Sequence, residues 1–307
     1  MTINWGGVIP AITTSFNQDY SIDFAFFAEH CRWLVDAGCL GLVPCGSLGE
    51  GATLSAEEKI AIIETALNAV GERVPVIPGI ASLSTAEAVW LAQAAESAGC
   101  HGLMVLPPYV YSTDWREMKA HVEAVMRATN LPILLYNNPP AYKTDFLPEQ
   151  IAELAQENAN LVAVKESSSD VRRVTAIRAL IGERLEILVG VDDEIVEGMQ
   201  AGAVGWIAGL VNAFPRESVT LFHLAEQVRT GQDDRAQLDA LYAWFLPLLR
   251  MDTVPKFVQL IKLAQEMVGM GNARVRAPRL ELHRAELENA RRTIQHALEH
   301  RSGLDIA

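Results

Sequence analysis

The feature that most constrains this chain is a repeat. Across its first two thirds, short apolar, β-branched runs alternate with helix-like stretches, and each run ends in glycine, proline or polar residues. The runs occupy 7–13, 41–45, 74–79, 102–106, 132–136, 161–165, 185–190 and 205–209. Between them, stretches with helical periodicity lie near 23–37, 55–70, 84–98, 114–128, 147–156, 170–181 and 192–202. Ser55 with Glu58, and Ser84 with Glu87, have capping-box spacing, and Asp192 and Asp193 precede the seventh stretch as cap candidates. Strands and helices alternating every ~25–35 residues are the pattern of right-handed βαβ units on a parallel sheet. The number of units favours a closed (β/α)8 TIM barrel over an open doubly wound sheet. No G-x-G-x-x-G follows the first run, which argues against a dinucleotide fold. Beyond 214 the strand signals stop, and helix-like stretches near 216–230, 234–250, 254–269 and 280–299 remain. The expectation is a barrel over 1–214, with 215–307 forming a C-terminal helical appendage packed on it as one structural unit.

Composition narrows the function. Half of the 307 residues are hydrophobic and 21% are charged, enough apolar material for a large core. The net charge of −13 repels phosphate backbones and anionic lipid, so nucleic acid and membrane surfaces are excluded as expected partners. The most apolar stretch, 201–214, is broken by Gly202, Gly205 and Gly209 and is shorter than the ~20 residues of a membrane span. Residues 1–7 have neither the basic nor the apolar segment of a secretory leader, so a cytoplasmic location is expected. Cys31, Cys39, Cys45 and Cys100 form no C-x-x-C pair and have no histidine at ligand spacing. They read as reduced, mostly buried thiols, with no metal site.

In such a barrel, chemistry collects where strands run into their βα loops. The second run ends in Cys45-Gly46-Ser47-Leu48-Gly49-Glu50, a loop whose amides can hold a carboxylate, or a tight turn in which Ser47 bonds locally. The fourth ends in Leu106-Pro107-Pro108-Tyr109-Val110-Tyr111, and the fifth in Tyr136-Asn137-Asn138-Pro139-Pro140. The sixth reads Leu161-Val162-Ala163-Val164-Lys165-Glu166, and period-2 alternation puts Lys165 on the side of Leu161 and Ala163. If that side is the interior, burial lowers the amine's pKa and makes it a nucleophile for a carbonyl or imine carbon. Tyr136 on the neighbouring strand is then placed to relay protons. The alternative is a lysine at the rim, ion-paired with Glu166.

Together these residues resemble the dihydrodipicolinate synthase / N-acetylneuraminate lyase superfamily of Schiff-base-forming barrels. The segment Gly46-Ser47-Leu48-Gly49-Glu50 is similar to its G-[ST]-[TS]-G-E loop, Tyr136-Asn137-Asn138-Pro139 to Y-N-x-P, and Lys165-Glu166 to K-[ED]. Gly190-Val191-Asp192-Asp193 followed by Gly202, Gly205 and Asn212 is similar to G-x-D-[DE]…G…G…N. The resemblance spans essentially the whole chain. It implies that Lys165 forms the Schiff base and Tyr136 relays protons. Ser47 and the amides of Ser47 and Leu48 would hold the substrate carboxylate, with Ser47 also in the relay. Tyr109, or the nearby Tyr111, would reach into a partner subunit's site, and Ile207 would line the pocket. It further implies a homo-oligomer, a tetramer built as a dimer of dimers, and no metal or organic cofactor.

Departures from the pattern narrow the substrate. Leu48 replaces the loop's second hydroxyl, which shortens or reroutes the relay. Ala141 stands where dihydrodipicolinate synthases place an arginine for the carboxylate of their aldehyde substrate, a change that is not conservative. The apolar Gly205-Trp206-Ile207-Ala208-Gly209-Leu210 fits a long polyhydroxylated sialate poorly. Two strings, Tyr136–Pro139 and Gly209–Glu217, resemble the 1-pyrroline-4-hydroxy-2-carboxylate deaminases of 4-hydroxyproline breakdown. That resemblance implies a small 2-keto or 2-imino carboxylate as substrate, with a cyclic imine C–N bond hydrolysed to 2,5-dioxopentanoate and ammonia. A dihydrodipicolinate synthase-like lyase, or an aldolase or dehydratase of a 2-keto-3-deoxy sugar acid, needs the same lysine, tyrosine and loop and stands as the alternative.

Overall fold

The computed structural model describes residues 3–108, 114–232 and 235–301. Seven strands form one parallel sheet: β1 (Gly7–Pro10), β2 (Gly79–Ile80), β3 (Leu103–Val105), β4 (Ile133–Asn137), β5 (Leu161–Glu166), β6 (Glu186–Val189) and β7 (Gly205–Ala208). Their order is β1-β7-β6-β5-β4-β3-β2, so the first and last strands in sequence are neighbours. The ring is completed by the segment 41–45, which was expected as a full strand and instead makes isolated bridges, Ala11 with Val43 and Leu42 with Val76. Proline explains the difference. Pro44, Pro75 and Pro78 have no N–H to give the ladder, so regular pairing breaks at each of them. The remaining donors still close the barrel. Val43 donates to the Pro10 carbonyl at 2.8 Å, Leu42 to Pro75 at 2.9 Å and Gly79 to Pro44 at 2.8 Å. The eight-unit barrel is therefore present, with its second strand reduced to bridges and its third shifted toward Gly79 and Ile80.

Helices follow the strands at the expected places: α1 (Phe24–Asp36), α2 (Ala56–Val70), α3 (Thr85–Ala98), α4 (Trp115–Arg127), a short α5 (Pro139–Tyr142), α6 (Pro148–Glu157), α7 (Arg172–Ile181) and α8 (Ile195–Gln200). All but the short α5 bury apolar residues; α4 turns in Met118, Val122, Val125 and Met126. At α2 both halves of the Ser55/Glu58 box form. At α3 only the Ser84 half does. The reading of Asp192 and Asp193 as caps is corrected. Residues Asp192–Glu194 form a 3-10 turn without a side-chain cap, and the Asp192 carboxylate reaches across to the end of β7.

Four more helices, α9 (Pro215–Thr230), α10 (Arg235–Leu249), α11 (Phe257–Met267) and α12 (Ala285–Glu299), complete the fold. A single apolar core runs from Trp5 to Ala297, so these helices share the barrel's interior packing. All four cysteines are buried and unbridged, and burial pushes the Cys31, Cys45 and Cys100 thiols up to about 12. Among the described residues, no helix is long and apolar enough to cross a membrane.

A buried ion pair ties α11 to the barrel mouth. Lys262 Nζ lies 2.9 Å from Glu50 Oε1 and donates to the Thr14 carbonyl at 2.9 Å, and both side chains are essentially sealed from solvent. Removing one partner strands the other charge. Lys262→Ala is expected to cost about 3–5 kcal/mol, read as a lowered urea midpoint. A loss below ~1 kcal/mol would show that the pair is not holding the loop.

Candidate active site

Lys165 is an interior residue of β5. The register places it beside Tyr136 on β4 and Leu188 on β6. It is only 6% exposed, and its Nζ sits 4.1 Å from the centre of the Tyr136 ring. Its stem passes over Gly190, where a Cβ would come within 2.5 Å of Lys165 Cε and 2.0 Å of Ser167 Oγ. Glycine is required there because the lysine occupies the space a side chain would take. Burial is the main influence on the amine and lowers its pKa to about 8, against the opposing pull of the Asp252 and Asp192 carboxylates. At neutral pH a drop of that size raises the neutral, nucleophilic fraction by roughly two to three orders of magnitude.

Pairing of Lys165 with Glu166 is ruled out by the pleat. Glu166 points to the opposite face, accepting from the Ser168 amide at 2.7 Å and from Asn137 Nδ2 at 3.2 Å. Asn137 also bonds Phe146 through its amide and carbonyl, fixing the exit of β4.

Tyr136 is held from the same exit. Asn138 Nδ2 donates to the Tyr136 hydroxyl at 2.8 Å while Asn138 Oδ1 caps α5 through the Ala141 amide at 3.1 Å. This one side chain therefore links the phenol to the helix that carries Tyr142. The Tyr142 ring meets that of Tyr136 edge-on at 5.9 Å, and its hydroxyl is hydrogen-bonded to Ser47 Oγ. Burial raises the Tyr136 pKa to about 12, opposed by the hydroxyls and amide of Asn138, Ser167 and Ser47 around it. Ser167 Oγ is buried without a well-aligned partner of its own.

The loop bearing Ser47 is folded tightly on itself. Cys45 and Glu50 both adopt positive φ, at 61° and 55°, and a Cβ at Gly51 would collide with the Cys45 carbonyl at 2.2 Å. The Glu50–Lys262 pair holds its far end. Within the loop, carbonyls of Gly46 and Ser47 accept from Gly51 and Glu50. The amides of Ser47 and Leu48 have no partner among the described residues. Two free N–H groups beside a hydroxyl can take a carboxylate without any cation. The Leu48 side chain is itself buried, as is Ile207, which lies in β7 opposite Ile9.

Beside Lys165 the mouth is acidic. Asp192 is fully buried and accepts from Trp206 Nε1 at 2.9 Å, the Gly209 amide at 3.0 Å and the Leu210 amide at 2.7 Å. Asp252, from the turn between α10 and α11, faces the same lysine. The structure thus brings together Lys165, Tyr136 and Ser47 with Tyr142, Asp192 and Asp252. Tyr109 and Tyr111 lie outside the described residues. Tyr142 and Asp252 were not anticipated. The only signal for Tyr142 was its place six residues after Tyr136, on a stretch read as a proline-locked loop, and Asp252 had none.

Barrel, interior lysine and amide-lined loop together define a Schiff-base enzyme's mouth, and comparison with known proteins agrees. Residues 4–297 match the Dihydrodipicolinate synthetase family. The 4-hydroxy-tetrahydrodipicolinate synthase of Agrobacterium fabrum is 34% identical over 274 residues, covering 89% of this chain and 91% of that one. The enzyme of the same name from Thermoanaerobacter sp. (strain X514) is 30% identical over 280 residues, covering 91% and 92%. Among solved structures, the 4-hydroxy-tetrahydrodipicolinate synthase of Methylacidiphilum fumariolicum SolV superposes with a TM-score of 0.90 at 28% identity, covering 96% of this chain and 97% of that one. The dihydrodipicolinate synthase of Aquifex aeolicus gives 0.89 at 27%, covering 98% and 99%. The chain belongs to the dihydrodipicolinate synthetase family of lyases.

The amine's low pKa is measurable without a substrate. Labelling of Lys165 by acetic anhydride, followed by peptide mass spectrometry, is expected to titrate with a midpoint near 8. A midpoint near the ordinary lysine value would contradict the burial argument. Gly190→Ala is expected to displace the lysine stem and abolish this site-specific profile while the other lysines titrate as before.

Proposed function

We propose that this enzyme uses Lys165 to open 1-pyrroline-4-hydroxy-2-carboxylate and release 2,5-dioxopentanoate and ammonia. The observation that carries the reading is the charge of the mouth. The charged groups acting on Lys165 are the carboxyls Asp192 and Asp252, and alanine occupies position 141. A dihydrodipicolinate synthase must also bind an aldehyde bearing its own carboxylate. With alanine at 141 no guanidinium from that position pairs the aldehyde's carboxylate, and the Asp192 carboxylate beside Lys165 disfavours it. A five-carbon imine with one carboxylate asks only for the free amides of Ser47 and Leu48.

The neutral Lys165 amine attacks C2 of the ring imine, and the C2–N bond of the ring breaks as the Schiff base to lysine forms. Protons move between the two nitrogens through the Tyr136 hydroxyl, with Ser47 and Tyr142 continuing the path toward solvent. In this scheme Tyr142 supplies from within the chain the hydroxyl next to Ser47, and Ile207 provides an apolar wall. Loss of the C4 hydroxyl as water and hydrolysis of the C5 imine and the Schiff base complete the reaction, with one net water consumed. Cytoplasmic action as a homo-oligomer, with Tyr109 or Tyr111 at a subunit contact, is part of the same reading.

Incubation with the pyrroline should release ammonia, and borohydride should fix the reduced ligand on the Lys165 peptide. Lys165→Ala should lose both. Tyr136→Phe should reduce turnover by about 10²–10⁴. Pyruvate release, or efficient condensation of pyruvate with an amino-aldehyde acid, would replace this reading by the lyase one.

A further inference from the structure

Asp252 belongs to the C-terminal helices by sequence and to the barrel mouth by position. The turn Arg250–Asp252 is held against the loop after β6 by Tyr242. The Tyr242 hydroxyl bonds the Asp193 carbonyl and lies 2.9 Å from Glu197 Oε2. Arg250 Nε lies 3.4 Å from Asp193 Oδ2. So placed, the carboxyl lies directly on Gly209 at the end of β7. A Cβ there would stand 2.1 Å from Asp252 Oδ1 and 2.6 Å from its Cγ, so any larger residue would evict it.

The two carboxyls beside Lys165 differ in their commitments. Asp192 is occupied by the Trp206 indole and two backbone amides, and it serves to close the turn after β7. Asp252 accepts no hydrogen bond and forms no ion pair among the described residues. The residue is half-buried at the mouth, with its carboxyl against Gly209. Burial, and then the Asp192 charge, favour the protonated acid, with Lys165 pulling the other way. The groups facing it are Lys165 from β5, Tyr136 from β4, and Asp192 and Asp193 from the turn after β6. None of its own hydrogen bonds would have to break for it to give up a proton.

We propose that Asp252 is a catalytic acid of this site, which protonates the substrate hydroxyl that leaves from the carbon two bonds beyond the Schiff-base carbon. The proposal rests on the deaminase reading. In the ring-opened intermediate, C2 is joined to Lys165 Nζ as an imine. Loss of a C3 proton through the hydroxyls of Tyr136, Ser47 and Tyr142 to solvent gives the enamine. Its nitrogen pair then re-forms the C2–N double bond, the C2–C3 π pair moves to C3–C4, and the C4–O pair leaves with oxygen. Asp252 gives its proton to that oxygen and water departs. The resulting carboxylate faces the new iminium cation, a favourable pairing in a poorly solvated mouth. It regains a proton from C5 as the unsaturated iminium tautomerises on the way to the C5 imine.

The test separates binding from elimination. The full-length enzyme and its Asp252→Asn variant are given the pyrroline, with ammonia release and borohydride trapping on Lys165 measured side by side. The variant is expected to trap ligand to the wild-type extent, as an adduct that retains the C4 oxygen. Its ammonia release should fall by about 10²–10⁴, with Asp252→Glu recovering part of it. Asp252→Ser, smaller and uncharged, makes the same comparison if the asparagine disturbs folding. Ammonia release within a few-fold of wild type would overturn the proposal alone. Loss of trapping together with ammonia release would also overturn it, making Asp252 a positioning residue for Lys165. A wild-type enzyme that traps the pyrroline but releases no ammonia would overturn the deaminase reading and this proposal with it.

Discussion

Everything at this barrel's mouth depends on keeping an amine where water cannot solvate it. Lys165 can be interior because β5 alternates and because Gly190 on the next strand's exit leaves a channel for its stem. An ammonium in that position is disfavoured, so a far larger fraction of this amine is uncharged at neutral pH than of an exposed lysine. The neighbours are arranged accordingly. The Tyr136 ring covers one side at 4.1 Å. The lowered pKa of the lysine follows from the fold's packing, against the opposing pull of the Asp252 and Asp192 carboxyls.

The chain places its other buried charges so that they hold geometry. Glu50 with Lys262, and Asp192 with the Trp206 indole and the amides of Gly209 and Leu210, each join segments far apart in sequence. The first couples the amide-lined loop to α11, and the second fixes the end of β7. Asn212 does comparable work with neutral groups, accepting from the Thr13 amide and donating to the Ala11 carbonyl. Breaking any of these leaves a buried polar group unpaired, which costs more than the bond itself contributes. The mouth is therefore rigid at the sites where substrate atoms have to be placed.

The legibility of this arrangement in the sequence follows the range of the interactions. The barrel was readable because its signals are local: period-2 runs, cap residues, and glycine or proline at each exit. The second strand was misjudged because apolar content says nothing about N–H groups, and Pro44, Pro75 and Pro78 remove the donors a ladder needs. Lys165 and Tyr136 stood out because a polar residue on an interior register of a strand is conspicuous in a string. Tyr142 did not, since its position depends on Asn138 turning the chain into a single helical turn. Asp252 was invisible for a stronger reason. It lies more than forty residues past the last strand and enters the site only through contacts between Tyr242, Arg250 and Asp193 that no local pattern encodes.

The charge balance of the chain takes on a different meaning at the site. A net charge of −13 works against binding polyanions, yet the proposed substrate is an anion. The mouth resolves this by dividing its two sides. Ser47 and Leu48 offer partial positive charge through backbone dipoles, which are neutral overall and cost nothing in the surrounding field. Asp192, held beside Lys165, is placed to repel a second carboxylate and to stabilise a developing iminium or freed amine. A substrate that starts with one carboxylate and acquires positive charge during turnover meets complementary potential at both ends. A substrate with a carboxylate at each end meets it at only one. This asymmetry of charge is the ground for the proposed reading, because the lysine, the tyrosine and the loop would serve either reaction equally well.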